Sequence, residues 1–399
     1  MKTKIAITGM GIVSAIGMNV EENLKSLKTK KHGISRIENI DTKLKDEIFV
    51  GEIKIKNQDL RKRLNLDEKA NFSRTSMLSL IAAEEAIKNA GIAIDNTSSI
   101  GFINGTTVGG MDIIEKYYDD FTENKENQHY IHIQDAGSNT NLIAEHLGIH
   151  QLVTTINTAC SSAANAIIFG ARLIQSGRLD KVIVGGADAL CKFTINGFNT
   201  LMILSDEHNK PFDENRKGLN LGEGAAYLVL EAEKSVLARD KKPIAYLEGF
   251  ANANDAFHQT ATSDEGKGAF LAMKEALEMA NLKPSAIDYI NAHGTATENN
   301  DLTEGRALER LFSAKTPDFS STKPFTGHTL AAAASVEAVF SILALQEQKV
   351  WPGLNFTEKI KELNLIPEQE VKTKNIEKVL SNSFGFGGNC SSLIFSKSF

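Results

Sequence analysis

The stretch VTTINTACSSAANAIIFGARLIQ, residues 153–175, places β-branched residues directly before a long apolar run. The first four residues favour a strand, and the run that starts at residue 163 has the length and composition of a helix. One of only three cysteines, Cys160, lies at the junction between them. A lone buried cysteine is most often a small hydrophobic side chain. Its position at the start of a helix raises the alternative of a reactive thiol.

The composition indicates a soluble, cytoplasmic protein. The 399 residues are 42% hydrophobic and 24% charged, and the net charge of −6 gives no indication of nucleic-acid binding. The three cysteines, which include Cys191 and Cys390, are too few for a disulfide framework. The apolar segment at residues 5–17 is interrupted by glycines, so it favours a strand over a signal peptide. Polar residues interrupt the apolar segments near 163–174 and 329–345, and we expect neither to span a membrane.

Strand and helix patterns alternate along the chain, which predicts an α/β fold. Strands are expected at residues 5–11, 99–107, 181–189, 244–255 and 287–290, helices at 73–90 and 270–282, and a closing hairpin at 378–395. The order of elements starts again after a charged segment that ends before Pro243. We therefore expect two similar halves that share one core, residues 1–242 with Cys160 and residues 243–399.

The junction between strand and helix gives Cys160 the surroundings of a nucleophile. Backbone N–H groups at the start of a helix have no partner within the helix, and the helix dipole is positive there. Such a setting lowers the pKa of a thiol from ~8.5 toward neutrality. The same N–H groups can stabilise an oxyanion after attack on an acyl carbonyl.

Two histidines occupy comparable positions in the second half. His293 follows a predicted strand, and His328 lies where an alanine-rich helix begins. A helix N-terminus disfavours a positive charge, so we expect a neutral imidazole at His328. Neutral Nε2–H groups from the two rings can donate hydrogen bonds to one carbonyl oxygen. Either histidine taken alone is as easily explained by a structural role.

Four motifs, in this order and spacing, resemble the signatures of the 3-oxoacyl-acyl-carrier-protein synthases. They are NTACSS at 157–162, NAHGTAT at 291–297, STKPFTGH at 321–328 and NSFGFGG at 382–388. The likeness extends over nearly the whole chain and is greatest to the elongating type with a Cys-His-His triad. It implies the thiolase fold, a five-layered α-β-α-β-α sandwich of two duplicated halves. It also implies decarboxylative condensation of an acyl thioester with malonyl-carrier protein, in fatty acid or polyketide assembly.

The resemblance assigns roles to individual residues. Cys160 corresponds to the nucleophile, His293 and His328 to the pair that assists decarboxylation, and Lys323 to the lysine that orients them. Phe386 corresponds to a gating residue whose backbone N–H joins that of Cys160 in the oxyanion hole. Thr295 and Thr297 correspond to the hydroxyls that bind phosphopantetheine. Asp301, Glu304 and Glu337 correspond to an acidic network around Lys323. Surface solvation is the alternative for these three acids.

The resemblance also predicts partners and cofactors. The family acts on phosphopantetheine that arrives on an acyl carrier protein, so no bound cofactor and no metal is expected. A homodimer is typical, and a heterodimer is an alternative. The carrier protein is acidic and needs a basic surface. The candidate carrier patch consists of Arg61, Lys62, Arg63, Lys69 and Arg74, although charge runs are often only solvated.

The chain departs from the family pattern at two places. Asn389 and Cys390 replace a usual Thr-Asn pair, and four alanines, residues 331–334, replace Gly-Ala-Ala-Gly. We expect the helix packing or the acyl channel to differ, as in a specialised polyene or polyketide pathway. We interpret Cys390 as a buried thiol rather than the second cysteine of a thiolase.

Two other functions remain open at this stage. One is a non-catalytic chain-length partner, although such partners lack the nucleophilic cysteine. The other is a CoA-dependent thiolase, which the two histidines disfavour. A partial dinucleotide motif, Gly9-x-Gly11-x-x-Ser14, lacks its third glycine and is weak.

Overall fold

The computed structural model describes residues 3–68, 70–94, 99–123, 125–313 and 315–398. Within these ranges the strands are β1 Ile5–Ser14, β2 Ile34–Arg36, β3 Phe49–Gly51, β4 Ile100–Gly105, β5 Leu152–Ile156, β6 Lys181–Asp188, β7 Leu221–Gly222, β8 Gly224–Ala232, β9 Ala245–Asn254, β10 Tyr289–Asn291, β11 Asp318–Ser320, β12 Lys349–Val350, β13 Lys372–Thr373, β14 Lys378–Gly385 and β15 Asn389–Ser396. The helices are α1 Val20–Lys28, α2 Asn57–Arg63, α3 Arg74–Ala90, α4 Met111–Tyr117, α5 Asp120–Glu123, α6 Ala136–His146, α7 Ser162–Gln175, α8 Lys192–Thr200, α9 Glu233–Leu237, α10 Lys267–Ala280, α11 Glu298–Phe312, α12 Lys323–Thr326 and α13 Ala333–Glu347.

Ten of these strands form two groups of five with the same topology. The first group has the order β5-β4-β6-β8-β1, and the second has the order β11-β10-β14-β15-β9. In each group the first three strands are parallel and the last two join antiparallel. A three-residue ladder between β1 and β9 connects the groups into one ten-stranded sheet. This correspondence confirms the predicted duplication, whereas the boundary at residues 242 and 243 stays a prediction.

Helices cover both groups of strands on both sides. Helix α3 packs on β1, β8 and β6, and α10 packs on β9 and β15. Helices α7 and α13 contact each other and strands of both groups, so they form a layer between them. The result is the helix, sheet, helix, sheet, helix order of the thiolase fold, as predicted. The expected helix at 73–90 is confirmed, with Ser73 as its N-cap and Gly91 in the left-handed conformation as its C-cap.

Strand β1 continues beyond the turn that its glycines suggested. A Cβ at Gly11 would lie 2.1 Å from the carbonyl oxygen of Ala82, and one at Gly9 would lie 2.3 Å from that of Ala86. The two glycines therefore let α3 approach the strand closely. This packing explains the motif that partly matched a dinucleotide fingerprint.

The segment that ends with α13 is strongly apolar. In the described part of the chain, Leu330–Glu347 is long and apolar enough to cross a membrane by length and composition alone. However, 89% of this segment is buried inside the protein. A helix that is apolar on all sides is typical of such a core position. Its residues between the two sheets include Glu337, which faces the site described next.

Candidate active site

The nucleophile candidate lies on a tight turn between β5 and α7. Ala159 has a φ of 51°, in the left-handed region that non-glycine residues rarely adopt. The Ser162 hydroxyl accepts a hydrogen bond from the Thr158 N–H at 2.9 Å and donates to the Ala159 carbonyl at 2.6 Å. These bonds hold the strained turn, which places Cys160 directly before Ser161, the N-cap of α7.

Two backbone N–H groups are directed at the sulfur of Cys160. They belong to Phe386 and to Cys160 itself. Burial raises the pKa of the Cys160 thiol to about 11, although Lys323 and the two N–H groups oppose that effect. The expected shift toward neutrality is therefore wrong in direction, because the buried position costs the thiolate more than its polar neighbours return. The resting group is a thiol.

The hairpin of β14 and β15 brings Phe386 to this turn. The Ser383 hydroxyl donates to the Cys160 carbonyl at 2.8 Å. A Cβ at Gly385 would lie 2.6 Å from the Thr158 carbonyl oxygen, so only glycine allows this approach. The ring of Phe386 stacks on Phe198 with centroids 5.8 Å apart.

His293 is fixed by two buried ionisable side chains. The carboxylate of Glu304 accepts hydrogen bonds from the N–H groups of His293 at 2.9 Å and Gly294 at 2.8 Å. The Lys323 ammonium lies 3.3 Å from His293 Nδ1 and donates to the His293 carbonyl at 2.5 Å. An ammonium has no acceptor, so Nδ1 must accept and the ring proton is on Nε2.

His328 has the same tautomer for a different reason. Its Nδ1 accepts the backbone N–H of Leu330 at 3.0 Å, which places the ring proton on Nε2. Its own N–H donates to the Asn220 carbonyl at 2.8 Å, which anchors the residue beside β7. The His328 and His293 rings are perpendicular, with centroids 5.4 Å apart.

Both imidazoles are held in the neutral form. Burial lowers the pKa of His293 and of His328 well below the ordinary value, and the nearby charge of Lys323 lowers both further. Each ring therefore presents an uncharged Nε2–H donor. The neutral histidine predicted from the sequence is found at both positions.

The three predicted acidic residues do not form one network around the lysine. Only Glu337 pairs with the Lys323 ammonium. Glu304 instead holds the backbone after β10, and Asp301 accepts the N–H groups of Phe212 at 2.6 Å and Ala296 at 3.1 Å. All three are buried, which excludes surface solvation. Burial raises the pKa of Glu304 and of Glu337 to about 7 in each case.

Cys160, His293 and His328 line one cavity of about 410 Å³. The lining also includes Phe384, whose ring lies 5.6 Å from that of His293. Thr295 and Thr297 line the same cavity, and their hydroxyl oxygens lie 2.9 Å apart. Among the residues that the structure describes, no three His, Cys, Asp or Glu side chains converge in a way that could hold a metal ion.

Comparison with known proteins decides the family. The sequence profile of the beta-ketoacyl synthase N-terminal domain matches residues 2–235, and that of the C-terminal domain matches residues 244–357. The chain belongs to the beta-ketoacyl synthase family. Curated relatives named "3-oxoacyl-[acyl-carrier-protein] synthase 2" from Staphylococcus aureus and Vibrio cholerae are each 33% identical. The matches cover 99% of this chain and 98% and 99% of the respective relatives.

Solved structures of ketosynthases have the same fold. The ishigamide ketosynthase/chain length factor matches with a TM-score of 0.92 and 28% identity, over 99% of both chains. A beta-ketoacyl synthase from Burkholderia phymatum matches with a TM-score of 0.87 and 29% identity, also over 99% of both. A type II polyketide ketosynthase, solved with its acyl carrier protein and bound to a hexaketide, matches with a TM-score of 0.86 and 26% identity. That match covers 99% of this chain and 100% of the other.

The carrier patch predicted for this ketosynthase is partly wrong. Arg74 is buried and forms a bidentate ion pair with Glu223, with nitrogen to oxygen distances of 2.8 and 2.7 Å. The Arg61 guanidinium is half-buried and donates to three backbone carbonyls, of residues 67, 70 and 72. Lys62 and Arg63 are exposed, and Lys69 lies outside the described residues. The part of the patch that stays a prediction is therefore Lys62 and Arg63, with Lys69.

Sequence reasoning missed a second cavity, of about 350 Å³, that meets the first at Cys160. Its lining consists of Thr107, Val108, Met111, Ala159, Cys160, Phe193, Thr194, Gly197, Phe198, Leu201, Leu330 and Phe386. Most of these side chains are apolar, and four of the twelve also line the first cavity, Cys160, Phe198, Leu201 and Phe386. The apolar residues of α8 are spaced at helical intervals, and this sequence pattern could have indicated an apolar wall beside Cys160.

Sequence reasoning also missed Asp188 and the role of Asn389. Asp188 accepts the hydroxyls of Thr106 and Thr107 and the N–H of Ala331, so it connects two loops at the site. The side-chain oxygen of Asn389 accepts from Ser161 at 2.7 Å and Asn165 at 2.8 Å, beneath the nucleophile turn. The departure Asn389-Cys390 therefore adds a polar cluster. Cys390 itself is buried in the core, as interpreted from the sequence.

Proposed function

We propose that this ketosynthase condenses an acyl group held on Cys160 with malonyl-carrier protein, to give 3-oxoacyl-carrier protein and CO2. One observation carries the proposal: Cys160, with two N–H groups at its sulfur, shares a cavity with two neutral Nε2–H donors. The combination supplies a nucleophile and two separate sets of oxyanion donors. The names of the curated relatives describe the same activity.

The first half-reaction moves the acyl group to Cys160. The sulfur attacks the thioester carbonyl of the acyl-carrier protein, and the developing oxyanion accepts the N–H groups of Cys160 and Phe386. The bond between the carbonyl carbon and the carrier sulfur breaks, and a bond to Cys160 replaces it. The proton of the Cys160 thiol ends on the released carrier thiol, so the step is neutral overall.

The second half-reaction forms the carbon–carbon bond. The thioester carbonyl of malonyl-carrier protein accepts the Nε2–H groups of His293 and His328, and loss of CO2 leaves an enolate that these donors stabilise. The enolate carbon attacks the acyl carbonyl on Cys160, and the bond to sulfur breaks. The Cys160 thiolate then takes up one proton. Neutral imidazoles suit this step, because each donates a hydrogen bond without having to give up its proton.

Lys323 and the acids position these donors. The Lys323 ammonium fixes the His293 tautomer and lowers the pKa of both rings, and Glu337 compensates its charge. Glu304 and Asp301 hold the loops that carry His293 and Ala296. We assign none of the three acids a direct contact with substrate.

The hydroxyls that line the cavity fit the arm of a carrier protein. Phosphopantetheine arrives as part of the substrate, and its amides can pair with the hydroxyls of Thr295 and Thr297. Lys62, Arg63 and Lys69 remain the candidate contacts for an acidic carrier protein. The cytoplasmic location also stays a prediction.

A homodimer is the proposed assembly. In the described residues β5 is an edge strand that pairs with β4 alone, and its side chains are half-buried. An edge strand is a template for a second copy. Solved ketosynthases that match this chain include complexes with a chain length factor, which keeps a heterodimer as the alternative assembly.

Two variants test the proposed reaction. Wild-type protein is incubated with a series of saturated acyl-carrier thioesters and malonyl-carrier protein, and 3-oxoacyl product is measured by mass spectrometry. Cys160→Ala should neither hold an acyl group nor form product, whereas the control Cys390→Ala should do both. Condensation by Cys160→Ala at the wild-type rate would contradict the proposal. Formation of a 3-oxoacyl product from CoA thioesters, with no carrier protein present and no release of CO2, would instead indicate a thiolase.

A further inference from the structure

The two N–H donors at the Cys160 sulfur belong to different parts of the fold. The N–H of Cys160 is on the turn between β5 and α7, and that of Phe386 is on the loop between β14 and β15. An oxyanion hole needs both donors at a distance of ~2.7–3.1 Å from one oxygen. The position of the loop relative to the turn therefore decides whether both N–H groups can serve one thioester carbonyl.

The end of β14 fixes the loop on the side that precedes Phe386. The Ser383 hydroxyl donates to the Cys160 carbonyl at 2.8 Å. The backbone of Gly385 packs so closely on the turn that a Cβ there would lie 2.6 Å from the Thr158 carbonyl oxygen and 3.3 Å from the Cys160 nitrogen. These contacts involve only the strand that leads into the loop.

Asn389, the first residue of β15, fixes the loop on the side that follows Phe386. Its side-chain oxygen accepts from the Ser161 hydroxyl at 2.7 Å and from the Asn165 amide at 2.8 Å. Ser161 is the N-cap of α7, and Asn165 lies in the first turn of that helix. The single proton of Ser161 has a second acceptor, the Thr158 carbonyl, also at 2.7 Å. The Asn165 amide has two protons and donates the other to Thr158 Oγ1 at 2.8 Å, so its bond to Asn389 is not shared.

The sheet holds Asn389 in place. Its backbone pairs with Gly385 of β14 and with Asn254 of β9. The Asn252 amide on β9 donates to the side-chain oxygen of Asn389 at 2.9 Å and to that of Asn165 at 2.7 Å. The side chain of Asn389 therefore connects the sheet to the start of α7. It lines neither of the two cavities at Cys160.

We propose that Asn389 is a positioning residue for the oxyanion hole, which keeps the N–H groups of Cys160 and Phe386 directed at one point. This inference rests on the proposed condensing function and adds a residue to its machinery. Without the Asn389 oxygen, the turn and the loop are joined on one side of Phe386 only, and the two donors can separate. Because Asn389 contacts neither the acyl chain nor the carrier arm, its loss should change the rate of acyl transfer and leave substrate binding unchanged.

Single-turnover loading of Cys160 tests this role. Asn389→Leu removes the acceptor at nearly constant size, and Asn165→Leu breaks the same contact from the side of α7. The matched control is Ser391→Ala, because the Ser391 hydroxyl belongs to the same polar cluster and bonds Asn165 and Asn252 but not the turn. Loading is followed by intact mass over a range of acyl-carrier concentrations, at a temperature at which circular dichroism shows each variant to be folded. This series gives a maximal rate and a half-saturating concentration.

We expect each leucine variant to lower the maximal loading rate about tenfold, because small displacements of positioned groups have effects of this size. The half-saturating concentration should stay within about twofold of the wild-type value. The variant with both leucines should load no more slowly than either single variant, since both substitutions break one contact. The control should load at the wild-type rate.

Four results would overturn the inference while the condensing function stands. They are wild-type loading by Asn389→Leu, a rise in the half-saturating concentration without a fall in the maximal rate, multiplied losses in the variant with both leucines, and an equal loss in Ser391→Ala. If the wild-type protein takes up no acyl group on Cys160, the proposed function itself fails.

Discussion

The ammonium nitrogen of Lys323 lies 3.3 Å from Nδ1 of His293, inside a pocket where both side chains are almost fully buried. Two basic groups in contact cannot both be protonated at little cost. Lys323 forms an ion pair with Glu337, and burial together with the charge of Lys323 lowers the pKa of His293, so the imidazole remains neutral. This contact therefore fixes the tautomer of the His293 ring and, together with burial, favours its neutral form.

Removal of either imidazole should separate the two half-reactions. His293→Asn and His328→Asn each remove one donor to the malonyl carbonyl, and loss of such a donor lowers kcat ~10²- to 10³-fold. Acyl loading should continue, because its oxyanion donors are backbone N–H groups. Rapid-quench measurement of loading and of CO2 release checks both steps. Equal losses in the two steps would show that the histidines act mainly on Cys160.

Replacing Lys323 alone should reduce the stability of the protein more than replacing both members of the buried Lys323–Glu337 ion pair. Lys323→Met leaves Glu337 without its partner, so the carboxyl, whose pKa is about 7 beside Lys323, becomes protonated at neutral pH, and loss of the buried hydrogen bonds costs about 1–3 kcal/mol in the free energy of unfolding. Lys323→Met combined with Glu337→Leu should recover most of that loss and none of the condensing activity. Urea denaturation and condensation assays measure the two quantities. A double variant that condenses at the wild-type rate would show that Lys323 does not position His293.

The thiol of Cys160 should become more reactive as the pH rises through the alkaline range. Burial raises its pKa to about 11, so the thiolate fraction is small at neutral pH and increases up to that value. Iodoacetamide alkylation, corrected for the reaction of the Cys160→Ala variant, should therefore continue to accelerate at pH values above ~8.5, the ordinary pKa of a thiol. An alkylation rate that stops rising near pH 7 would show instead that the pKa of Cys160 is lowered, as the sequence predicted.

The Asn389 cluster should contribute to stability. Asn389→Ala removes the oxygen that accepts from Ser161 and Asn165, and loss of such half-buried hydrogen bonds costs about 0.5–1.5 kcal/mol in the free energy of unfolding. The matched control is Asn199→Ala, on the exposed side of α8, which should change little. Chemical denaturation compares the two variants. Equal effects would mean that the cluster makes no specific contribution.

The fold and the convergence of the proposed catalytic groups were predictable, because short motifs at strand ends carry these groups. Cys160, His293, His328 and Lys323 each lie in such a motif, and the topology brings these strand ends together. The resemblance to a known family specified the order of the motifs. Local sequence therefore contains most of the information about which residues meet.

Burial was not predictable in the same way. Arg74 was placed on the surface because its partner, Glu223, is 149 residues away in the sequence. The pKa of Cys160 was expected to fall, since the dipole of α7 is a local feature and burial is a tertiary one. Asp188 was missed because it ends an apolar strand and its partners come from two distant loops. These properties depend on long-range packing.

A single-turnover experiment tests the central claim most directly. Protein with an acyl group on Cys160 is mixed with malonyl-carrier protein labelled with carbon-13 in its free carboxyl group. The account predicts one labelled CO2 and one 3-oxoacyl-carrier protein for each acyl group lost from Cys160, and neither product from the His328→Asn variant on the same time scale. Release of the acyl group without a matching amount of labelled CO2 would contradict it.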